Sequence, residues 1–212
     1  MKIGVLGTGD VARTLGRGFA GHGHSVMIGS RTPDSEKLKL WRKEVQGETS
    51  AGTFAEAASY GDILVFAVLG SAVDDVIALA GPNKFAGKIV IDTTNPLDFS
   101  KGAPPGLFTG LTDSLGERIQ RQLPHSRVVK CFNTVPNSRM VNPGDEAVEM
   151  LICGNDPKAK GDVTSILKRF GWAGAIDIGG IVESRWLEAF VPLWVRTASS
   201  LNSWNTMFKV LH

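Results

Sequence analysis

Gly7-Thr8-Gly9-Asp10-Val11-Ala12 is the segment of this 212-residue chain whose spacing most directly implies chemistry. It fits G-x-G-x-x-[GA] and follows the apolar run Lys2-Ile3-Gly4-Val5-Leu6. It also opens a stretch in which Val11, Leu15 and Phe19 recur at helical spacing. Each small residue has a task in such a turn: Gly7 permits the tight bend, Gly9 lets backbone approach a pyrophosphate, and Ala12 lets helix and strand pack closely. The N–H groups and positive dipole end of the helix then receive phosphate oxygens. The segment predicts a dinucleotide site.

The end of the second strand selects the dinucleotide. An Asp or Glu there would bind a free ribose 2′-hydroxyl. This chain instead reads Ile28-Gly29-Ser30-Arg31-Thr32. Without the carboxylate, a 2′-phosphate is not repelled. Ser30 and Thr32 supply hydroxyl donors and Arg31 a guanidinium fork matched to phosphate. The expected cofactor is NADP(H).

Missing groups narrow the reaction. Tyr60 is the only tyrosine and Leu64 stands four residues later, so there is no Tyr-x-x-x-Lys acid pair. His22 and His24 flank Gly23 in a turn, His125 precedes a strand, and His212 is the last residue; surface or turn positions are expected for all four. Cys131 and Cys153 form no CxxC pair, so neither a metal site nor a disulfide scaffold is expected. No catalytic side chain is assigned. An acceptor ring that takes hydride directly, as flavins and quinones do, suits such a site. Two alternatives stand beside this reading. One is a non-catalytic NADPH-binding sensor or partner subunit; the other is an imine or carbonyl reductase using Asp74, Asp75 or Asp98 as donor.

These residues need a scaffold. Short β-branched runs alternate with amphipathic stretches from Lys2 to Ile178, the pattern of a parallel sheet covered on both faces. Thr53 with Glu56, and Ser114 with Glu117, read as capping boxes, and Asp156-Pro157 as an Ncap–N1 pair. Residues 95–105 read as loop, and residues 183–211 as helix interrupted at Pro192. The predicted fold is α/β: a Rossmann-type, doubly wound, mostly parallel sheet over residues 1–180, with a short C-terminal helical extension over 181–212. Charge gives no sign of other partners. Twenty-three Lys and Arg against 21 Asp and Glu leave a net charge of +2, so neither nucleic acid nor an anionic membrane is expected. The longest apolar run, Ile63 to Leu69, cannot span a bilayer. With a strand beginning at Lys2, a cytoplasmic protein is expected.

Gly7 to Ala12, Gly29-Ser30-Arg31, Asp92-Thr93-Thr94-Asn95-Pro96-Leu97 and Val129-Lys130-Cys131-Phe132-Asn133-Thr134 occur in that order. In this the chain resembles the NADPH-dependent reductases of the deazaflavin coenzyme (factor 420) and the related domains of membrane metalloreductases. The resemblance implies a small-molecule redox acceptor, with a deazaflavin or flavin as the substrate. It places Val68-Leu69-Gly70 beside the cofactor, Asn95-Pro96-Leu97 near the nicotinamide, and Asn133-Thr134-Val135-Pro136 on the floor of the acceptor pocket. Trp186, Trp194, Trp204, Met207 and Phe208 lie at helical spacings in the tail. They suit the core, an acceptor contact, for which Met207 is the candidate, or the interface of a homodimer.

Overall fold

The computed structural model describes residues 1–144 and 147–211; His212 lies outside the described residues. In chain order the first half carries β1 (Lys2–Leu6), α1 (Asp10–Gly21), β2 (Ser25–Gly29), α2 (Glu36–Glu44), β3 (Thr49–Gly52), α3 (Phe54–Tyr60), β4 (Ile63–Phe66), α4 (Val73–Ala80) and β5 (Ile89–Asp92). A two-stranded hairpin, β6 (Leu97–Asp98) and β7 (Gly106–Leu107), interrupts the alternation. The chain continues through α5 (Leu115–Gln122), β8 (Arg127–Lys130), β9 (Glu149–Gly154), α6 (Pro157–Arg169), β10 (Gly174–Asp177) and α7 (Ser184–Ser200).

Eight strands form one sheet in the order β10-β9-β8-β5-β4-β1-β2-β3. The strands from β3 to β8 run parallel; β9 pairs antiparallel with β8, and β10 then runs parallel to β9. This is the doubly wound arrangement with a reversed edge. The period-two alternation of each strand sorts its side chains between two cores. Ile3, Val5, Ile63, Val65, Ile89, Ile91 and Val129 pack beneath α1 and α6 with Leu15, Phe19 and Phe170. Leu64, Phe66, Val90 and Val128 point the other way, toward Ala57, Ile77, Phe85 and Ile119. Phe66 stacks on Phe85 with ring centroids 5.6 Å apart.

Local signals act as their chemistry requires. Thr53 and Glu56 complete a reciprocal capping box, and the Asp156 carboxylate accepts from the Ala159 N–H ahead of Pro157. The Ser114 hydroxyl accepts from the Glu117 N–H and donates to Glu117 Oε2 at 2.7 Å, and the same carboxylate takes Arg185, Oε1 accepting at 2.7 Å. Three expectations are corrected. Residues 95–105 contain β6, which pairs with β7. Pro192 does not interrupt the last helix: α7 runs through it, and the lost N–H falls opposite the carbonyl of Glu188. The helix ends instead at Ser200, because Asn202 takes φ +47° and the N–H groups of Asn202 and Ser203 return to the carbonyls of Ser199 and Ala198. β3, made of the small residues Thr49-Ser50-Ala51-Gly52, carries no apolar alternation by which to be read.

Candidate functional site

The carboxyl ends of β1, β2, β4, β5 and β8 share one edge of the sheet, and a cleft of about 920 Å³ runs along it. Gly7 makes the first turn. Its φ is +128°, its N–H donates to the Gly29 carbonyl at 3.0 Å, and a Cβ there would collide with the Ala67 carbonyl oxygen. Gly9 is the opposite case. Its backbone is extended and a Cβ would meet no atom within 4 Å. It caps α1 without any side-chain hydrogen bond, so the first-turn N–H groups face open space at the cleft. This cradle fits a pyrophosphate.

At the next strand end, Ser30 is buried; its N–H donates to the Gly52 carbonyl and its Oγ accepts from the Thr32 N–H at 3.0 Å. The turn thereby presents Arg31 outward, exposed and lining the cleft. Thr8, Gly9, Asp10, Val11 and Arg31 are thus brought to one wall. Val68, Leu69 and Gly70 form another, and Asn95 and Leu97 a third. Asn133 and Val135 also line the cleft. Gly7, Ala12, Ser30, Thr32, Pro96, Thr134 and Pro136 do not face it. Met207 does not either: it packs against the core beneath α1. The tail folds back on α7, where Trp194 Nε1 donates to the Thr206 carbonyl at 2.7 Å and Phe190 meets Phe208 edge to face.

The end of the cleft bounded by β5 and β8 is polar but holds no titratable wall. Thr93, Thr94, Asn95, Phe132 and Asn133 line it. Asn133 is pinned, since Nδ2 donates to Asn95 Oδ1 and to the Leu187 carbonyl, each at 3.0 Å. Asn95 Nδ2 in turn donates to the Asn133 carbonyl at 3.0 Å. Asn133 Oδ1 remains buried with no donor among the described residues. Phe132, fully buried, adopts φ +67° between them. Such a left-handed conformation costs a bulky residue about 1–3 kcal/mol and turns the chain sharply as it leaves β8.

Beneath this wall lies a charge cluster that the motif reading did not assign. Lys130 Nζ donates to Asp92 Oδ2 at 2.8 Å, to Glu188 Oε1 at 2.7 Å and to the Thr94 carbonyl at 2.7 Å. Lys130 and Asp92 are fully buried and Glu188 is 1% exposed. Asp92 Oδ1 also accepts from the N–H and hydroxyl of Thr94. The Glu188 carboxylate accepts from the N–H groups of Leu115 and Gly116, which opens α5. Burial alone would depress the Lys130 ammonium, but Asp92 and Glu188 outweigh it and raise its pKa. The sequence signal was a charged residue closing each of two apolar runs, Ile89-Val90-Ile91-Asp92 and Val128-Val129-Lys130.

Other candidate groups are occupied elsewhere. The Asp74 carboxylate accepts from Gln122 Nε2. Asp98 accepts from the Ser100 N–H, which lowers its pKa. Burial raises the Cys131 thiol well above its usual range and pushes Cys153 up to about 11. Among the described residues no cluster of His, Cys, Asp and Glu could hold a metal.

Residues 2–96 match the family described as NADP oxidoreductase coenzyme F420-dependent. The F420-dependent NADP reductase of Methanocaldococcus jannaschii is 30% identical over 207 residues, covering 92% of this chain and 91% of that one. The rat metalloreductase STEAP3 is 31% identical over 194 residues; the match covers 91% of this chain but only 36% of the metalloreductase. A crystal structure from Arthrobacter sp. FB24, provisionally named an F420-dependent NADP reductase, is 39% identical over the full length of both chains with a TM-score of 0.95. An Aspergillus terreus reductive aminase in complex with NADPH shares the fold at 17% identity, with a TM-score of 0.69 over 95% of this chain and 63% of its own.

Proposed function

Since the chain belongs to the family of F420-dependent NADP reductases, we propose that its cleft moves a hydride between NADP(H) and a deazaflavin, flavin or quinone-like acceptor. The observation that carries this reading is the cleft joining the Gly9 cradle and Arg31 at one end to a Thr–Asn wall without ionisable groups at the other. The first turn of α1 holds the pyrophosphate and Arg31 the 2′-phosphate, while Ser30, bonded to the Thr32 N–H, shapes the turn that presents Arg31. Val68, Leu69 and Gly70 flank the ribose and the linker toward the ring. Asn95 and Asn133 bound the nicotinamide and acceptor, each held by the other's amide. The bound cofactor supplies the hydride chemistry, and the protein supplies orientation and exclusion of water.

No protein acid is assigned a step. Asp10 and Asp75 are the carboxylates lining the cleft, on α1 and α4; neither belongs to the wall carried by β5 and β8. A direct transfer to a deazaflavin-type ring needs no proton donor of the protein. Residues 1–180 carry the cofactor in this reading, and 181–212 close the acceptor end through Leu187 and Glu188. Exposed Trp186, Leu193 and Trp204 support self-association as a homodimer, which sedimentation analysis tests. No helix among the described residues is long and apolar enough to cross a membrane.

The test is NADPH oxidation by the purified protein against deazaflavin coenzyme, FMN, small quinones and ferric chelates, with NADH as control. NADPH-specific turnover with a ring acceptor is expected. Binding of NADPH with no turnover against any acceptor would refute the transfer reading and leave a sensor.

A further inference from the structure

Asp92, Lys130 and Glu188 place two carboxylates against one ammonium in a volume closed to water. Each carboxylate meets only donors. Asp92 accepts from Lys130 and twice from Thr94, and Glu188 from Lys130 and from the Leu115 and Gly116 N–H groups. Counted at their formal charges, the two carboxylates exceed the one ammonium. All three Lys130 donors are used as well. The cluster is satisfied in hydrogen bonds but not in charge. It carries one surplus negative charge, partly offset by the N-terminal dipole of α5.

That surplus lies directly behind the cleft. Thr94 binds Asp92 through its N–H and hydroxyl and Lys130 through its carbonyl, and Thr93, Thr94 and Asn95 line the wall. A buried charge acts across such a distance with little screening once a ligand has displaced water. The oxidised and reduced cofactors differ by one positive charge, carried on the nicotinamide ring.

We propose that the Asp92–Lys130–Glu188 cluster sets the relative affinity of the cleft for NADP⁺ and NADPH, its surplus negative charge favouring the oxidised form. This rests on the reading above that the ring lies at the Thr94–Asn95 end. The cluster acts through its field and not by contact with the ring. It also ties α5 and α7 to the sheet, but a purely structural tie would move both affinities together.

The experiment measures dissociation constants for NADPH by fluorescence and for NADP⁺ by competition. It compares the unaltered protein with Glu188→Gln and Asp92→Asn, and uses exposed Asp162→Asn as control. Circular dichroism establishes that each variant is folded. Asp92→Asn is the second arm because it leaves the Glu188 contacts to α5 intact. Removing one carboxylate charge should raise the NADP⁺-to-NADPH ratio of dissociation constants about three- to tenfold, the scale of a unit charge acting at an effective dielectric near 20 to 40. The control should leave the ratio unchanged. A folded Glu188→Gln or Asp92→Asn variant that weakens both cofactors equally, or neither, overturns the proposal while leaving the cofactor reading standing. Failure of the unaltered protein to bind either cofactor overturns both.

Discussion

Lys130→Met removes the only cation from the cluster and keeps most of the side-chain volume. Two buried carboxylates would then face each other uncompensated, and the Thr94 carbonyl would lose a charged donor. Breaking a buried pair by deleting one partner costs about 3–5 kcal/mol, whereas an exposed pair is worth about 0–1 kcal/mol. The matched control is Lys158→Met, which loses an i,i+4 contact to Asp162 at 3.1 Å with side chains 77% and 44% exposed. A domain of this size loses roughly 2–4 °C of Tm per kcal/mol. Lys130→Met should therefore fall by about 6–20 °C and Lys158→Met by no more than about 4 °C. Urea denaturation followed by circular dichroism gives the free energies, with an unchanged slope showing that the same surface unfolds. A Lys130→Met loss below about 1 kcal/mol would refute the reasoning, because the ammonium would then not be neutralising buried charge.

Other outcomes follow from the site and its surroundings. Arg31→Ala should weaken NADPH by about 1–3 kcal/mol and leave NADH nearly unchanged; equal losses measured by titration would detach Arg31 from the 2′-phosphate. Gly9→Val should keep its Tm, since the added side chain enters open space, yet lose both cofactors. Gly7→Ala should instead lose stability, because φ +128° and the Ala67 carbonyl both oppose a Cβ. Thermal melts combined with NADPH titration separate the two. His24 is lowered by burial, then by the Met1 ammonium, Arg169 and His22. Its unfolded form takes up a proton first, so stability should fall as pH drops below about 6.5 and level off below the lowered folded value. His24→Phe should flatten that part of the urea midpoint profile.

The parts legible in the sequence were those in which neighbouring residues decide the outcome. The Thr53 box and the Asp156-Pro157 start each depend on contacts within a few positions, and the Gly7–Ala12 turn announces itself through the spacing of its small residues. The continuous apolar run Ile63-Leu64-Val65-Phe66 likewise implied a strand buried on both faces, and its side chains divide between the two cores. What escaped depends on partners brought from afar. Asp92 and Lys130 are 38 residues apart, and Lys130 and Glu188 are 58. In sequence each is one charge at the end of an apolar run or within a helix, and only the β5–β8 register and the return of α7 bring them together. Pro192 misled for a related reason. Whether a helix continues past a proline depends on the packing of its other face, here Leu187, Val191 and Val195.

Glu188 has a consequence for how the chain is synthesised. The ribosome releases β5, α5 and β8 well before it adds this residue, and Glu188 reaches back 72 and 73 residues to the α5 N–H groups. During that interval the Leu115 and Gly116 N–H groups lack this acceptor, and the Lys130 ammonium has one of its two carboxylates. The nascent sheet therefore waits with its ligand-facing edge unfinished, and the emergence of α7 is the event that locks it.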